Sequence, residues 1–245
     1  MKISLPFHQA LFKVSIYRRT KTRTPEDTYF QVFDDPRRSP LIITVASYKG
    51  GVGKTTTAIH LAAYLQQRAP TLLVDGDAIR SSTKWSQRGD GHGLPFKVVS
   101  HAEMVTHIRH YENVIIDTEG NPGDDDFRDL ALNCDLLVVP AVPETSATDG
   151  LTYTLAKLQN LHAERFKILL TIVPPKPRTE GQQLRDMLTQ EGIPTFKTEI
   201  PRLAAFEKAS AEGVPVYAIK DDARAARAWE AYEEAGGEIF NGKAR

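Results

Sequence analysis

Residues 41–65 read Leu-Ile-Ile-Thr-Val-Ala-Ser-Tyr-Lys-Gly-Gly-Val-Gly-Lys-Thr-Thr-Thr-Ala-Ile-His-Leu-Ala-Ala-Tyr-Leu. An apolar, β-branched run leads into three glycines, and these lead into a segment of high helix propensity. Strand, glycine turn and helix in that order predict a phosphate-binding loop. Gly50, Gly51 and Gly53 let the backbone curl so that successive N–H groups converge on one anion. The helix predicted from Lys54 adds its positive N-terminal end. Cofactor-binding candidates are therefore Gly50, Gly51, Val52, Gly53, Lys54, Thr55 and Thr56. Lys54 is placed to reach the β- and γ-phosphates of a nucleotide, and the Thr55 hydroxyl to ligate Mg²⁺.

Two further apolar segments end in acids. Thr71-Leu-Leu-Val-Asp-Gly-Asp77 carries Asp75 and Asp77 at i and i+2, which share one face of an extended chain. Tyr111-Glu-Asn-Val-Ile-Ile-Asp117 ends in a single carboxylate, a candidate Mg²⁺ holder. Open α/β sheets bind ligands at the carboxyl ends of their strands, where all three acids fall.

Outward from these segments, strands and helices alternate, which predicts an α/β fold. The expected fold class is a single P-loop NTPase domain with a mostly parallel twisted sheet and helices on both faces. Strands are expected near 41–46, 71–75, 97–99, 113–117, 135–140, 167–173 and 195–199. Helices are expected near 54–67, 101–110, 124–132, 147–160, 180–190, 203–211 and 221–235. Asp221-Asp222 reads as the start of the last helix and Gly236-Gly237 as its stop. Asp124-Asp-Asp126 reads as an N-cap before Phe127. Residues 41–245 form this domain; residues 1–40 are a basic N-terminal extension, either a working arm or a terminus without function.

The 245 residues suffice for one such domain. Formal net charge is zero, so overall charge steers nothing. The distribution is uneven. Lys2, Lys13, Arg18, Arg19, Lys21, Arg23, Arg37 and Arg38 outnumber four acids in the extension, leaving the rest slightly acidic. Cys134 is the only cysteine, so no disulfide forms within the chain and a cytoplasmic location is expected. Cys134, Trp85 and Trp229 read as packing residues, and His107 and His110 as a solvated helix face.

The loop departs from the common phosphate-binding pattern. Tyr48 stands where the first glycine belongs, and Lys49 precedes the glycines, giving K-G-G-x-G-K-T. This resembles the deviant Walker A box of the ParA/MinD family of dimeric ATPases. Val74–Trp85 is similar to a family segment of the form D-x-D-P-Q-x-S-x-x-x-W. Ser81 and Trp85 match, while Ala78-Ile79 replaces Pro-Gln. Asp117 resembles that family's Walker B acid. The Leu136–Pro143 strand with the following Ser146–Leu151 resembles the strand leading to the dimer face. Ile168–Pro175 and Glu199–Arg202 resemble the two segments that enclose adenine.

The resemblance covers about residues 41–235. It implies an Mg²⁺-dependent ATPase with ATP and Mg2+ as cofactors and with Lys49, Lys54 and Asp77 as catalytic residues. Lys49 would cross to the partner's nucleotide, and Asp77 would orient the attacking water. Thr55, Asp75 and Asp117 would serve the metal, and Pro174, Pro175 and Pro201 the adenine. The implied partners are a second copy in an ATP-bound homodimer, non-specific DNA and a ParB-like or McdB-like adaptor protein, with no membrane. The location is then cytoplasmic and nucleoid-associated. The cargo is a plasmid, a chromosome or a protein organelle such as the carboxysome. Lys197, Arg202, Lys208, Lys220, Arg224 and Arg227 are the candidate DNA contacts, unless they are ordinary surface ion pairs. A MinD-like membrane-cycling ATPase is the alternative. Its relatives end in an apolar-basic amphipathic helix, whereas residues 230–245 are acidic and poor in large apolar side chains. A metabolic amidoligase or kinase would need a substrate motif that the chain does not show. The single cysteine removes the cluster-bearing nitrogenase iron proteins.

Overall fold

The computed structural model describes residues 39–144 and 148–241. The extension up to residue 38, with its basic run, and Ser146 lie outside the described residues.

Seven strands form one all-parallel sheet. They are β1 Leu41–Val45, β2 Thr71–Gly76, β3 Lys97–Ser100, β4 Asn113–Thr118, β5 Leu136–Ala141, β6 Phe166–Val173 and β7 Thr195–Pro201. Their order is β3-β2-β4-β1-β5-β6-β7. β2, β3 and β4 lie on one side of β1 and β5, β6 and β7 on the other. The carboxyl end of β1 is therefore the point where the winding reverses and a crevice opens.

Among the described residues eight helices cover the sheet: α1 Lys54–Gln66, α2 Ser81–Arg88, α3 Met104–His107, α4 Asp124–Leu132, α5 Thr148–Asn160, α6 Glu180–Gln190, α7 Ala205–Glu212 and α8 Ala225–Asn241. The central strands read as unbroken apolar runs because both their faces are buried. Ile43, Val45, Leu73 and Ile115 pack with α1, α2, α7 and α8. Ile42, Leu72, Val74, Val114 and Ile116 pack on the other face with Met104, Phe127, Leu151 and Leu184 of α3 to α6. Pro140 is tolerated in a central strand because β1 pairs with β5 only as far as Val138.

All seven expected strands and the predicted helices are present, with four differences. Helix α2 was not anticipated, because Ser81-Ser-Thr-Lys-Trp-Ser-Gln-Arg has little apolar periodicity. The helix expected over 101–110 is three short pieces: 3-10 turns at His101–Glu103 and Ile108–His110 flank the four-residue α3. Met104 and Ile108 alone anchor that stretch in the core. Asp124–Asp126 does not cap α4 but occupies its first turn, where three carboxylates face the positive helix end. Asp124 also accepts hydrogen bonds from the Tyr48 hydroxyl and Lys157.

The fourth difference is α8. It begins at Ala225 rather than 221, because Asp222 Oδ1 accepts the Arg224 N–H and the Arg224 carbonyl receives the first helical bond from Ala228. It also runs through Gly236-Gly237 to Asn241. Those glycines are contact residues, not a stop: a Cβ on Gly236 would overlap the Tyr64 ring of α1. Trp85, Trp229 and Cys134 are buried as expected, and burial pushes the Cys134 thiol up to about 12.

Candidate functional site

The loop from Tyr48 to Gly53 closes over the carboxyl end of β1. Gly51 and Gly53 have φ of 74° and 84°, a region that L side chains avoid, so two of the three glycines are demanded by the turn. A Cβ on Gly50 or Gly51 would meet nothing within 4 Å, so the loop's outer side is open to a ligand. Beneath it, Val52 packs with Val142 and Ile172. The Thr171 hydroxyl lies 2.8 Å from the Val52 carbonyl and fastens the loop to β6. Thr171 was not marked from the sequence, where a threonine in an apolar strand carries no signal.

Lys54 starts α1 and is buried. Its ammonium donates to the Lys49 carbonyl at 2.6 Å. Burial lowers its proton affinity, while the charges of Asp117 and Asp77 raise it. Gly120, after β4, lies against the same loop: a Cβ there would be 3.4 Å from Gly50 Cα and 3.7 Å from Lys54 Nζ. Lys49 lies along α5, where a Cβ on Gly150 would be 2.9 Å from Lys49 Cβ. Tyr48 anchors the loop's entry. Its ring centroid is 4.7 Å from those of Phe127 and Tyr153, and its hydroxyl reaches Asp124 at 3.0 Å.

The two acid-bearing strands pair so that Asp75 and Asp117 are register partners. Asp117 is fully buried. Desolvation pushes its carboxyl up to about 7, against the pull of the Ser82 and Thr55 hydroxyls. Ser82 Oγ donates to Oδ2 at 2.7 Å, while Oδ1 is buried with no hydrogen-bond partner. A hard cation fits this donor set: an orphaned carboxylate oxygen and a threonine hydroxyl.

Asp75 is placed differently. Its Oδ2 accepts the Thr83 N–H at 2.8 Å and the Thr83 hydroxyl at 2.5 Å, and its Oδ1 accepts the Asp77 N–H at 3.1 Å. It holds the first turn of α2. Asp77 is turned into its own loop, where Oδ1 accepts the Ile79 N–H at 2.9 Å and Oδ2 the Ser81 hydroxyl at 2.7 Å. Ala78-Ile79-Arg80 closes that loop, with Arg80 at φ 60°.

The segments expected around adenine do adjoin. Val173 pairs with Pro201, and the Arg202 N–H donates to the Val173 carbonyl at 2.8 Å. Pro174 and Pro201 are half-buried, and Pro175 is exposed. The register of β6 against β7 shifts here, with Ile172 at φ 53°, a costly conformation for a β-branched residue.

The six basic candidates do not form one patch. Lys208 and Arg224 share Asp222, at 3.1 and 3.4 Å. Arg202 faces Glu144 at 3.8 Å. Lys220 and Arg227 are exposed near the same corner in sequence. Lys197 sits beside Glu238, which accepts its backbone N–H at 2.9 Å; at 1.5 Å rise per residue that is about 20 Å along α8 from Arg224. Arg224 and Arg227 are not both inside the helix, since Arg224 is its N-cap. Among the described residues no group of three or more His, Cys, Asp or Glu side chains is placed to hold a metal, and His107 contacts Lys97. No helix among the described residues is long and apolar enough to cross a membrane.

Residues 43–216 match the family model described as the CobQ/CobB/MinD/ParA nucleotide binding domain. A relative from Gloeobacter kilaueensis, the maintenance of carboxysome distribution protein A, is 31% identical over 182 residues, covering 72% of this chain and 84% of that protein. Among solved structures, a plasmid partition protein from Borrelia burgdorferi bound to AMPPNP is 19% identical with a TM-score of 0.63, covering 83% of this chain and 99% of the other. The MinD cell division protein of Aquifex aeolicus is 16% identical with a TM-score of 0.64, covering 82% and 97%. At these identities the structures establish the fold and do not separate partition from cell-division relatives.

Proposed function

The chain belongs to the CobQ/CobB/MinD/ParA nucleotide-binding family, and on that premise we propose that it is a positioning ATPase. In this reading it pairs with a second copy when ATP is bound, binds DNA without sequence preference, and distributes a cargo under the control of an adaptor protein. The observation that carries the proposal is the K-G-G-x-G-K-T loop itself, with Lys54 on the Lys49 carbonyl and the orphaned Asp117 oxygen below it. The relative named for carboxysome distribution favours a protein-organelle cargo over a plasmid.

The N–H groups of residues 50–56 bind and orient the phosphates, and Lys54 sets its charge against the β- and γ-oxygens. Thr55 and Asp117 would hold Mg²⁺, which would neutralise phosphate charge there. Asp75 supports them by fixing α2. Asp77 orients the water once its loop opens and releases the Ser81 and Ile79 bonds. Pro174, Pro175 and Pro201 flank the base. Lys49, carried on the surface of α5, adds a cation to the partner's site, where a positive group stabilises charge spread during phosphoryl transfer.

The test is mass by light scattering with ATP and Mg²⁺, for wild type and for Asp77→Ala, which is expected to retain ATP. The expected result is a doubling of mass with ATP and none with ADP. A monomer in both proteins overturns the reading. Vesicle sedimentation covers the membrane alternative; Glu230, Glu233 and Glu234 are exposed on α8 and repel anionic lipid.

A further inference from the structure

We infer that α2 and α7 move as one lever, and that Ser82 is the positioning residue that ties this lever to Asp117. A cation arriving with nucleotide at Asp117 is then felt at the Lys208–Asp222–Arg224 corner. The inference rests on the reading of Asp117 given above.

The near end of the lever is held by two carboxylates from paired strands. Asp75 takes the Thr83 N–H and hydroxyl, and Asp117 takes the Ser82 hydroxyl. All three bonds enter the first turn of α2, and Ser82 is fully buried. A serine hydroxyl has one proton to give. Asp117 Oδ2 spends an acceptor position on it, while Oδ1 stays unpaired inside the protein. A divalent cation that draws the carboxylate toward Thr55 therefore either pulls the first turn of α2 along or breaks the Ser82 bond. In each case α2 is displaced or released.

The far end of α2 meets the end of α7 partly backbone on backbone. Gly89, at the end of α2, and Gly93, just beyond, meet Gly213 at the end of α7, backbone on backbone. A Cβ on Gly213 would overlap Gly89 N, and one on Gly89 would be 2.6 Å from the Gly213 carbonyl oxygen. Trp85 Nε1 donates to the Val214 carbonyl at 3.1 Å. Arg88 reaches the Ser210 carbonyl through Nε and the Ser210 hydroxyl through a terminal nitrogen at 2.9 Å. Close-packed surfaces of this kind shift together rather than deform. From α7 the path continues through Lys208 to Asp222, which also fixes the Arg224 N–H at the start of α8. The chain's other tryptophan is Trp229, so Trp229→Phe leaves Trp85 as the only tryptophan reporter, on the lever itself.

The experiment uses the full chain carrying Trp229→Phe, with AMPPNP in Mg²⁺ or in EDTA. Three quantities are read: binding of a fluorescent ATP analogue, Trp85 emission, and amide hydrogen exchange over residues 205–214. AMPPNP with Mg²⁺, but not with EDTA, is expected to change Trp85 emission and to alter exchange over 205–214 about twofold or more. Ser82→Ala is expected to move the Mg²⁺ concentration for the half-maximal Trp85 change by about fivefold, with nucleotide binding in EDTA like the parent's. Arg88→Ala alters an exposed side chain and leaves the fold to the remaining contacts. It is expected to keep the Trp85 change and weaken the exchange response, which decides the matter even if Ser82→Ala does not fold. Cation-dependent nucleotide binding with no response at 205–214 overturns the lever. So does an unchanged Mg²⁺ midpoint in Ser82→Ala. Failure of the parent to bind nucleotide at all overturns the site reading, and the lever falls with it.

Discussion

Lys54 belongs to the phosphate loop and Asp77 is turned into the loop after β2, and these surroundings assign them different work. Lys54 is buried, and its ammonium is satisfied by one carbonyl of the loop, so removing it leaves both a hole in the cradle and less positive charge. Lys54→Ala is expected to lower affinity for a fluorescent ATP analogue by about a hundredfold or more, the loss of a charged phosphate contact. Asp77 bonds only within its own loop, so Asp77→Ala leaves the cradle intact. It is expected to bind ATP like wild type and to hydrolyse it about a hundredfold more slowly in a phosphate-release assay. Equal loss of binding in both variants contradicts the division. A second residue-scale prediction concerns His60, buried in α1 between the Thr56 carbonyl at 2.7 Å and the Val216 N–H at 3.0 Å. With Val216 donating to Nε2, Nδ1 carries the proton and the ring is neutral. Burial pushes its pKa down to about 4 from 6.5. The unfolded chain therefore takes up the proton first, and stability present above pH 6.5 is lost as pH falls toward 4, by about 3 kcal/mol. Urea unfolding of wild type and His60→Gln between pH 7.5 and 4.5 checks this: the variant's pH slope should be shallower. Identical slopes count against it.

At the scale of elements, the glycine pair of α8 gives a prediction with two signs. Gly236 faces Tyr64, and a Cβ there would be 2.6 Å from Tyr64 Cγ as well as overlapping the ring edge. Tyr64 cannot easily yield, because the Arg68 guanidinium lies 3.6 Å over its ring. Gly236→Ala is expected to destabilise by about 1–2 kcal/mol, overpacking outweighing the gain in helix propensity. A Cβ on Gly237 would meet only the Tyr64 hydroxyl at 3.8 Å, so Gly237→Ala is expected to stabilise by up to about 1 kcal/mol. Urea midpoints of the two variants should move in opposite directions. This pair also shows where sequence reading runs out. Strands β1, β2 and β4 were legible because burial on both faces demands long apolar runs, and the phosphate loop because its backbone demands glycine. Gly236-Gly237 looks like a helix stop until the partner helix is known, since close approach of α1 is a tertiary fact. Helix α2 was hidden for the same reason. Its first turn is held by Asp75 of the preceding strand and by Asp117 of β4, and its end by Gly213, which together leave no apolar period. Thr171 and Ser82 act through one hydroxyl each and have no spacing to betray them.

For the whole molecule, the open question is how a chain of zero net charge could hold DNA. Overall attraction is absent, so binding must come from a local surface, doubled when two copies pair. The candidate residues stand in different surroundings. Arg202 stands opposite Glu144, and Lys197 lies at the far end of α8. Lys208, Lys220, Arg224 and Arg227 remain around the start of α8, where Asp222 offsets part of their charge. Two such corners in an ATP-bound dimer present a bivalent surface, which a monomer lacks. If the dimer engages about four phosphates, affinity for random duplex should fall about a hundredfold between 50 and 200 mM salt, following a slope of about −0.9 per contact. The measurement is a titration of labelled duplex with ATP and Mg²⁺ at several salt concentrations. Wild type should bind only with ATP, and Lys220→Ala/Arg227→Ala should lower both affinity and slope while leaving dimer mass unchanged. Arg224→Ala should act more weakly, because Asp222 already neutralises that side chain and the Arg224 N–H bond survives the substitution. Salt-insensitive binding, or none from a dimer of the right mass, removes DNA as the partner. Unchanged binding in the double variant moves the contact to the basic run at Arg18–Arg23.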